Sequence, residues 1–233
     1  MTKIDLSIII PAYKEDENLV VLLPKINEAV RALFIEYEIL VIDTQKPLDN
    51  TSSVCHINKT KYLNREKGNT YGDAIRTAIK HAKGKYVLFM DADGSHSPEF
   101  IKNLYNNHAD NDIVIASRYV AGGGSENNKI LKLMSWMVNF IYSWLFDLKC
   151  KDVSNSFKLY KGDLLAGLNL KCNNFEIIEE ILIKLKRRND NLKIKEIPYF
   201  FKERMFGQTK RNLIVFVFSY IITLLKLKFM LRD

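Results

Sequence analysis

Two hydrophobic rhythms alternate through the first half of the chain. Residues 5–10 form an apolar run stopped by Pro11, which predicts a strand ending in a loop. Over residues 17–34, Leu19, Leu22, Leu23, Ile26, Ala29, Val30 and Leu33 recur at helical spacing, with Pro24 as a candidate kink. Residues 37–42 predict a second strand stopping at Asp43, and residues 60–63 a third. Residues 70–82 predict a helix closed by Gly84, and residues 86–90 a buried strand. A short helix follows at 98–106, with Ser97 as its cap and Pro98 in its first position, then a strand at 112–116. Strands alternating with helices predict an α/β sandwich with a mostly parallel sheet, whose ligands bind beyond the carboxyl ends of the strands. Pro11, Asp43 and Asp91 all fall at that edge.

The second half reads differently. Residues 122–128 are Gly-rich and predict a flexible loop. Residues 129–149 predict an apolar helix whose polar residues Lys132, Ser135, Asn139 and Ser143 make one narrow stripe. Such a helix is either buried in protein or laid in a membrane interface. Two Trp, one Tyr and flanking Lys residues favour the interface. Residues 174–186 predict a helix and 192–197 a strand ending at Pro198. The tail has 13 uncharged residues, 213–225, before Lys226, whereas a span needs about 20. It reads as an interfacial or half-inserted helix, with a transmembrane span as the alternative.

Composition narrows the partners. Of 233 residues, 47% are hydrophobic, which excludes a disordered chain, and the net charge of +8 favours anionic partners. Three widely spaced cysteines, Cys55, Cys150 and Cys172, suit free thiols in a reducing compartment better than a disulfide frame or a zinc site. The first residues run into a strand with no long apolar segment, so no signal peptide is expected.

The strand at 86–90 runs into Asp91 and Asp93, two carboxylates one residue apart. At the mouth of a parallel sheet such a pair suits a hard divalent cation, Mg²⁺ or Mn²⁺, that keeps positions open for substrate phosphates. Alone, the pattern also describes a solvated turn with Asp93 and Gly94 as turn formers. A haloacid-dehalogenase-type phosphatase carries similar letters, but on its first strand. An EF-hand loop needs Gly sixth and Glu twelfth; counted from Asp91, Gly94 is fourth and Lys102 twelfth.

Six segments, in order, carry a resemblance: SIIIPAYKEDENL, EILVIDTQKPLDNT, NREKGNTYGDAIRTAIKHAKGKYVLFMDADGSHSPEFI, DIVIASRYVAGGG, DVSNSFKLYKGDLL and IPYFFKERMFGQTK. Together they resemble the family 2 glycosyltransferases, and within them the dolichyl- or polyprenyl-phosphate mannose synthase-like branch, over residues 5 to about 212. The resemblance implies a GT-A type fold over residues 1–212, with 213–233 as a membrane-associated tail. It implies transfer of a sugar, with inversion, from a nucleotide diphosphate sugar to a polyprenyl or dolichyl phosphate. By resemblance Asp91 and Asp93 bind Mg²⁺ or Mn²⁺. Pro11, Ala12, Tyr13, Glu15, Asp43, Ala92 and Ser95 hold the nucleotide sugar. Arg118, Arg204 and Lys210 are the cations that bring the acceptor phosphate to the sugar. An anionic acceptor needs no strong base; Glu176, Glu179 and Glu180 stand in reserve for a hydroxyl acceptor.

Departures from the pattern stand out. Thr44 replaces the second Asp of an Asp-Asp loop, Lys158 stands where Arg is usual, Asn155–Ser156 replaces Ser-Gly, and Lys129 or Lys132 takes the place of an acceptor-region Arg. The implied location is the cytoplasmic face of a membrane, peripheral or C-terminally anchored, against an anionic lipid surface. Two other readings are a non-catalytic sugar-nucleotide-binding partner subunit and a family 2 transferase with a hydroxyl acceptor in cell-surface glycan synthesis. No nucleic acid is expected as partner, since no matching motif is present and the aromatics lie in apolar helices.

Overall fold

The computed structural model describes residues 3–126, 128–206 and 222–229. In chain order they form β1 (Leu6–Pro11), α1 (Asp16–Arg31), β2 (Tyr37–Asp43), α2 (Thr51–Ile57), β3 (Lys61–Asn64), α3 (Tyr71–His81) and β4 (Tyr86–Phe89). A 3₁₀ turn, Pro98–Phe100, leads into α4 (Ile101–Asn106) and β5 (Ile113–Ser117). Then come β6 (Gly124–Ser125), α5 (Lys129–Leu145), β7 (Lys158–Lys161), α6 (Gly162–Leu165), α7 (Ile177–Arg188), β8 (Ile194–Pro198) and β9 (Phe200–Phe201). A last helix, α8, spans 222–229.

Seven strands make one sheet in the order β3-β2-β1-β4-β7-β5-β8. All neighbours are parallel except β7, which runs antiparallel between β4 and β5. The inner strands are buried on both faces, as near-continuous apolar runs require. One face packs on α1, α2 and α4 through residues such as Leu23, Ile26, Val54 and Leu104. The other packs on α3 and α7 through Ala74, Ile75, Ile178 and Leu182. The expected mostly parallel α/β sandwich is thus borne out.

Local chemistry explains most boundaries. Thr70 caps α3 with a reciprocal box: its hydroxyl accepts from Asp73 N at 3.1 Å, and the Asp73 carboxylate accepts from Thr70 N at 3.0 Å. Pro24 does not end α1, because its exposed position leaves the freed carbonyl four residues back, at exposed Val20, facing water. Neither α2 nor β7 was expected. The sequence of α2 is short and half polar, and β7 begins and ends with lysine, which hides a central strand. The Gly-rich stretch expected as a flexible loop contributes β6, which pairs with β9.

The helix α5 is turned inside out. Its polar stripe, apart from exposed Lys132, faces the protein: Asn139 is 1% exposed, and Ser143 donates to the carbonyls of Leu148 and Cys150 at 2.7 and 2.8 Å. Ile130, Leu133, Trp136, Met137, Phe140 and Trp144 are exposed instead. In α8, Leu227 is buried and its carbonyl accepts from Arg187 Nη2 of α7 at 3.0 Å. Ile222, Leu225 and Phe229 of α8 are exposed. The rest of the expected tail, 213–221 and 230–233, lies outside the described residues. Among the described residues, no helix is long and apolar enough to cross a membrane.

Candidate active site

Parallel strands place the carboxyl ends of β1, β2, β4 and β5 on one edge, and antiparallel β7 adds its amino end to the same edge. The segments just beyond are therefore brought together: 12–15 after β1, Thr44 after β2, 90–96 after β4, Arg118 after β5 and 152–157 before β7. Pro11 and Ala12 are buried, and Ala12 N donates to Ile42 O at 2.9 Å. Tyr13 is half exposed beside them.

Asp91 and Asp93 sit in a tight turn. Asp93 Oδ1 accepts from Ser95 N at 3.0 Å and Ser95 Oγ at 2.6 Å. Gly94 takes φ +81°, and a Cβ there would lie 2.5 Å from the Met205 side chain. Ala92 and Ser95 are buried, so Ser95 supports the turn while both carboxylates face partly outward. Asp91 Oδ1 accepts from Ser156 Oγ at 3.0 Å.

His96, absent from the residues singled out by sequence, anchors this turn from below. It is fully buried, stacked on Phe157 with ring centroids 4.5 Å apart, and its Nδ1 accepts from Asp91 N at 2.9 Å. Burial holds its pKa below the usual histidine value, outweighing the charges of Asp91 and Asp93. A neutral ring with an accepting Nδ1 carries its proton on Nε2, 3.9 Å from Asp91 Oδ2.

Two arginines flank the turn. Arg118 grips buried Asp152 in a bidentate pair, Nε to Oδ2 at 2.8 Å and Nη2 to Oδ1 at 2.7 Å, and its backbone N adds a third bond at 2.8 Å. Burial alone would raise the Asp152 pKa, but Arg118 beside it brings the net shift downward. Ser154 Oγ accepts from Arg118 Nη2 and from Asn139 Nδ2 of α5, both at 3.0 Å. Arg204 pairs with Glu15 at 3.0 Å, and Met205 N donates to Asp93 O at 2.8 Å, so the segment after β9 closes against the acid turn. Burial pushes the Glu15 pKa up, opposed by Asn18 and Arg204 and reinforced by Asp93.

Asp43 is placed otherwise than a ligand-facing group. It is fully buried, with Oδ1 accepting from Thr44 N at 2.7 Å and Oδ2 from Tyr62 hydroxyl at 3.0 Å. Nearby Arg65, 6% exposed, donates to the carbonyls of Ala12, Asn69 and Thr70, tying the first loop to the start of α3. Glu179 and Glu180 are buried in α7, and Glu180 accepts from Lys171 N, Cys172 N and Lys184. Lys210 lies outside the described residues.

Among the described residues no three His, Cys, Asp or Glu side chains cluster as a self-sufficient metal cage. Two outward carboxylates suit a Mg²⁺ or Mn²⁺ ion that takes its remaining oxygens from water and phosphate. The donor set fits a hard divalent cation of this kind.

A family model described as Glycosyl transferase family 2 matches residues 7–168. The chain belongs to this family. It is 36% identical over 214 residues to a dolichol-phosphate mannosyltransferase of Pyrococcus furiosus, covering 88% of this chain and 58% of that protein. It therefore spans little more than half the length of that relative. An undecaprenyl-phosphate mannosyltransferase of Micrococcus luteus is 29% identical, with 88% and 86% covered. Glucosyl-3-phosphoglycerate synthase of Mycobacterium tuberculosis, solved with Mn²⁺, UDP and phosphoglyceric acid, superposes with a TM-score of 0.72 at 18% identity. That match covers 96% of this chain and 78% of the other; the same protein is also solved with Mg²⁺ and UDP. At this identity the likeness establishes the GT-A type fold.

His96, Arg65, Asp152 and Ser156 are the residues that sequence reasoning left without a role. All four lie inside the segments that carry the family resemblance, so position alone was the available signal. Their roles come from contacts across 4 to 65 residues of sequence.

Proposed function

We propose that this protein transfers a sugar from a nucleotide diphosphate sugar to a polyprenyl phosphate at the cytoplasmic surface of a membrane. One observation carries the reading: an acid turn flanked by arginines is joined, through Ser154 and Asn139, to a helix whose opposite face exposes Trp136, Phe140 and Trp144. A lipid phosphate has the two halves that this arrangement suits, an isoprenoid for the apolar face and an anion for the cations.

In this reading Asp91 and Asp93 hold Mg²⁺ or Mn²⁺, which supplies charge neutralisation for the leaving diphosphate. The 12–15 loop, with exposed Tyr13, lies where the nucleoside docks. Asp43, sealed under Thr44 and Tyr62, shapes that loop from beneath. Arg204 is released from Glu15 when an anionic ligand competes for its guanidinium. Arg118, held rigid by Asp152, points a fixed charge toward the acceptor phosphate. The acceptor is already an anion, so the burial of Glu179 and Glu180 is no obstacle. The relatives named for dolichol- and undecaprenyl-phosphate mannosyl transfer support this acceptor class.

The test is direct. Nucleotide diphosphate sugars are screened with Mn²⁺ and a short polyprenyl phosphate, reading sugar-lipid product by chromatography. Asp93→Ala is expected to abolish product. Normal turnover by that variant would sink the assigned role. Donor binding without product in the wild type would favour a non-catalytic binding subunit.

A further inference from the structure

Two departures from the family pattern, Lys158 and Ser156, meet in the structure. Lys158 lies on β7, paired with Phe89 of β4 on one side and Ile115 of β5 on the other. Its side chain is fully buried, an expensive place for an ammonium group unless it is held by acceptors. The holders are main-chain carbonyls: Nζ donates to Val153 O at 2.8 Å and to Asn155 O. These two residues bracket Ser154, in the segment that links β7's amino end to the site. Asp152 grips Arg118, Ser154 receives Arg118 and Asn139, Asn155 Nδ2 donates to Ala116 O at 2.6 Å, and Ser156 Oγ donates to Asp91 Oδ1.

The geometry points to Lys158 and Ser156 as a positioning pair for the Asp91 carboxylate, the ammonium pinning the 153–155 carbonyls so that the Ser156 hydroxyl orients Asp91. Where the resembling segment has glycine, no side chain could make this contact; here the serine hydroxyl makes it at 3.0 Å. The inference rests on Asp91 being a metal ligand. It adds that metal affinity is set by a buried residue outside the cleft, as hydrogen-bond partners of ligating carboxylates do elsewhere.

Lysine at this position also differs from arginine in a way that can be measured. Burial pulls the Lys158 pKa down to about 8, despite the opposing charges of Asp152 and Glu179 and with Arg118 adding to the depression. Asp152 faces it from the loop before β7, Glu179 from α7, Cys150 from the loop after α5 and Arg118 from the end of β5. Neutralising the ammonium weakens its hold on the two carbonyls.

The experiment is a titration of the full chain with Mn²⁺ alone, read as free Mn²⁺ by electron paramagnetic resonance under anaerobic conditions. The variants are Ser156→Ala, Lys158→Met, Lys158→Arg, the Ser156→Ala/Lys158→Met double and, as control, Asp91→Asn. Asp91→Asn is expected to remove the site. Ser156→Ala and Lys158→Met should each weaken Mn²⁺ binding by about 10-fold, the lower end of the range for such partners. The double should be no worse than Lys158→Met, and Lys158→Arg should bind like wild type. Raising the pH from 7 to 9 should weaken the wild type and leave Lys158→Arg flat. Ser156→Ala removes only a hydroxyl, so it remains informative if Lys158→Met fails to fold. Wild-type affinity in Ser156→Ala, with the site lost in Asp91→Asn, would overturn the positioning pair alone. Unchanged binding in Asp91→Asn would overturn the metal assignment and the pair with it.

Discussion

Removing the Asp152 carboxylate is the sharpest probe of how the site is held. Asp152 is fully buried and accepts three hydrogen bonds from Arg118, at 2.7 to 2.8 Å. The Arg118 side chain is itself only 11% exposed, so water cannot replace the lost partner. Breaking a buried pair from one side costs about 3–5 kcal/mol. At about 2–4 °C per kcal/mol for a domain of this size, Asp152→Ala should lower Tm by about 6–20 °C. Asp152→Asn keeps the shape and one acceptor oxygen and should fall between that variant and wild type. The assay is thermal unfolding by circular dichroism at pH 7.5, repeated along an acid series. Burial works against the ionised carboxylate, but Arg118 outweighs it and the folded pKa is depressed. The stabilisation is therefore complete above the unfolded pKa of about 3.9 and is lost as pH falls through the folded value. The difference in Tm between wild type and Asp152→Asn should shrink over that acid window. A variant melting within about 1 °C of wild type would refute the reasoning, since even 1 kcal/mol shifts Tm by more.

Two other perturbations separate the acid turn from the outer face of α5. Gly94→Ala places a Cβ at φ +81° and against Met205, so it should cost about 1–2 kcal/mol and lower the Mn²⁺ affinity of the Asp91–Asp93 turn. Calorimetric titration beside a melting curve checks this, and wild-type values in both would remove Gly94 from the argument. Trp136→Glu with Trp144→Glu should reduce sedimentation with anionic vesicles while moving Tm by no more than about 2 °C, because both rings are exposed. Undiminished vesicle binding would refute the membrane role proposed for this face of α5.

The sequence alone was informative where physics is local. Apolar periodicity located β1, α1, β2, α3, β4, β5 and α7 to within a few residues, because a strand or helix that must bury a face shows it in its own spacing. The acid pair was visible for the same reason: it follows directly on a buried strand. Even the oddity of α5 was written in the stripe of Lys132, Ser135, Asn139 and Ser143. Which way that stripe faced was not, because either side of a helix can be buried. The answer needed a polar partner, and Ser154, with the carbonyls of Leu148 and Cys150, supplied it from within the fold.

Tertiary structure decided what each polar residue touches. Arg118 and Arg204 read in sequence as cations awaiting phosphate; the fold pairs them with Asp152 and Glu15, 34 and 189 residues away. Asp43 read as a ligand contact, and the fold turns it inward to Thr44 and Tyr62. The short strand β7 was not expected from the sequence, yet its antiparallel insertion carries Ser156 to Asp91 and buries Lys158 behind it. Backbone pattern is set by neighbours a few residues apart, so one chain can reveal it. The partner of a charge is set by which strand lies beside which, and that order exists only once the sheet has formed.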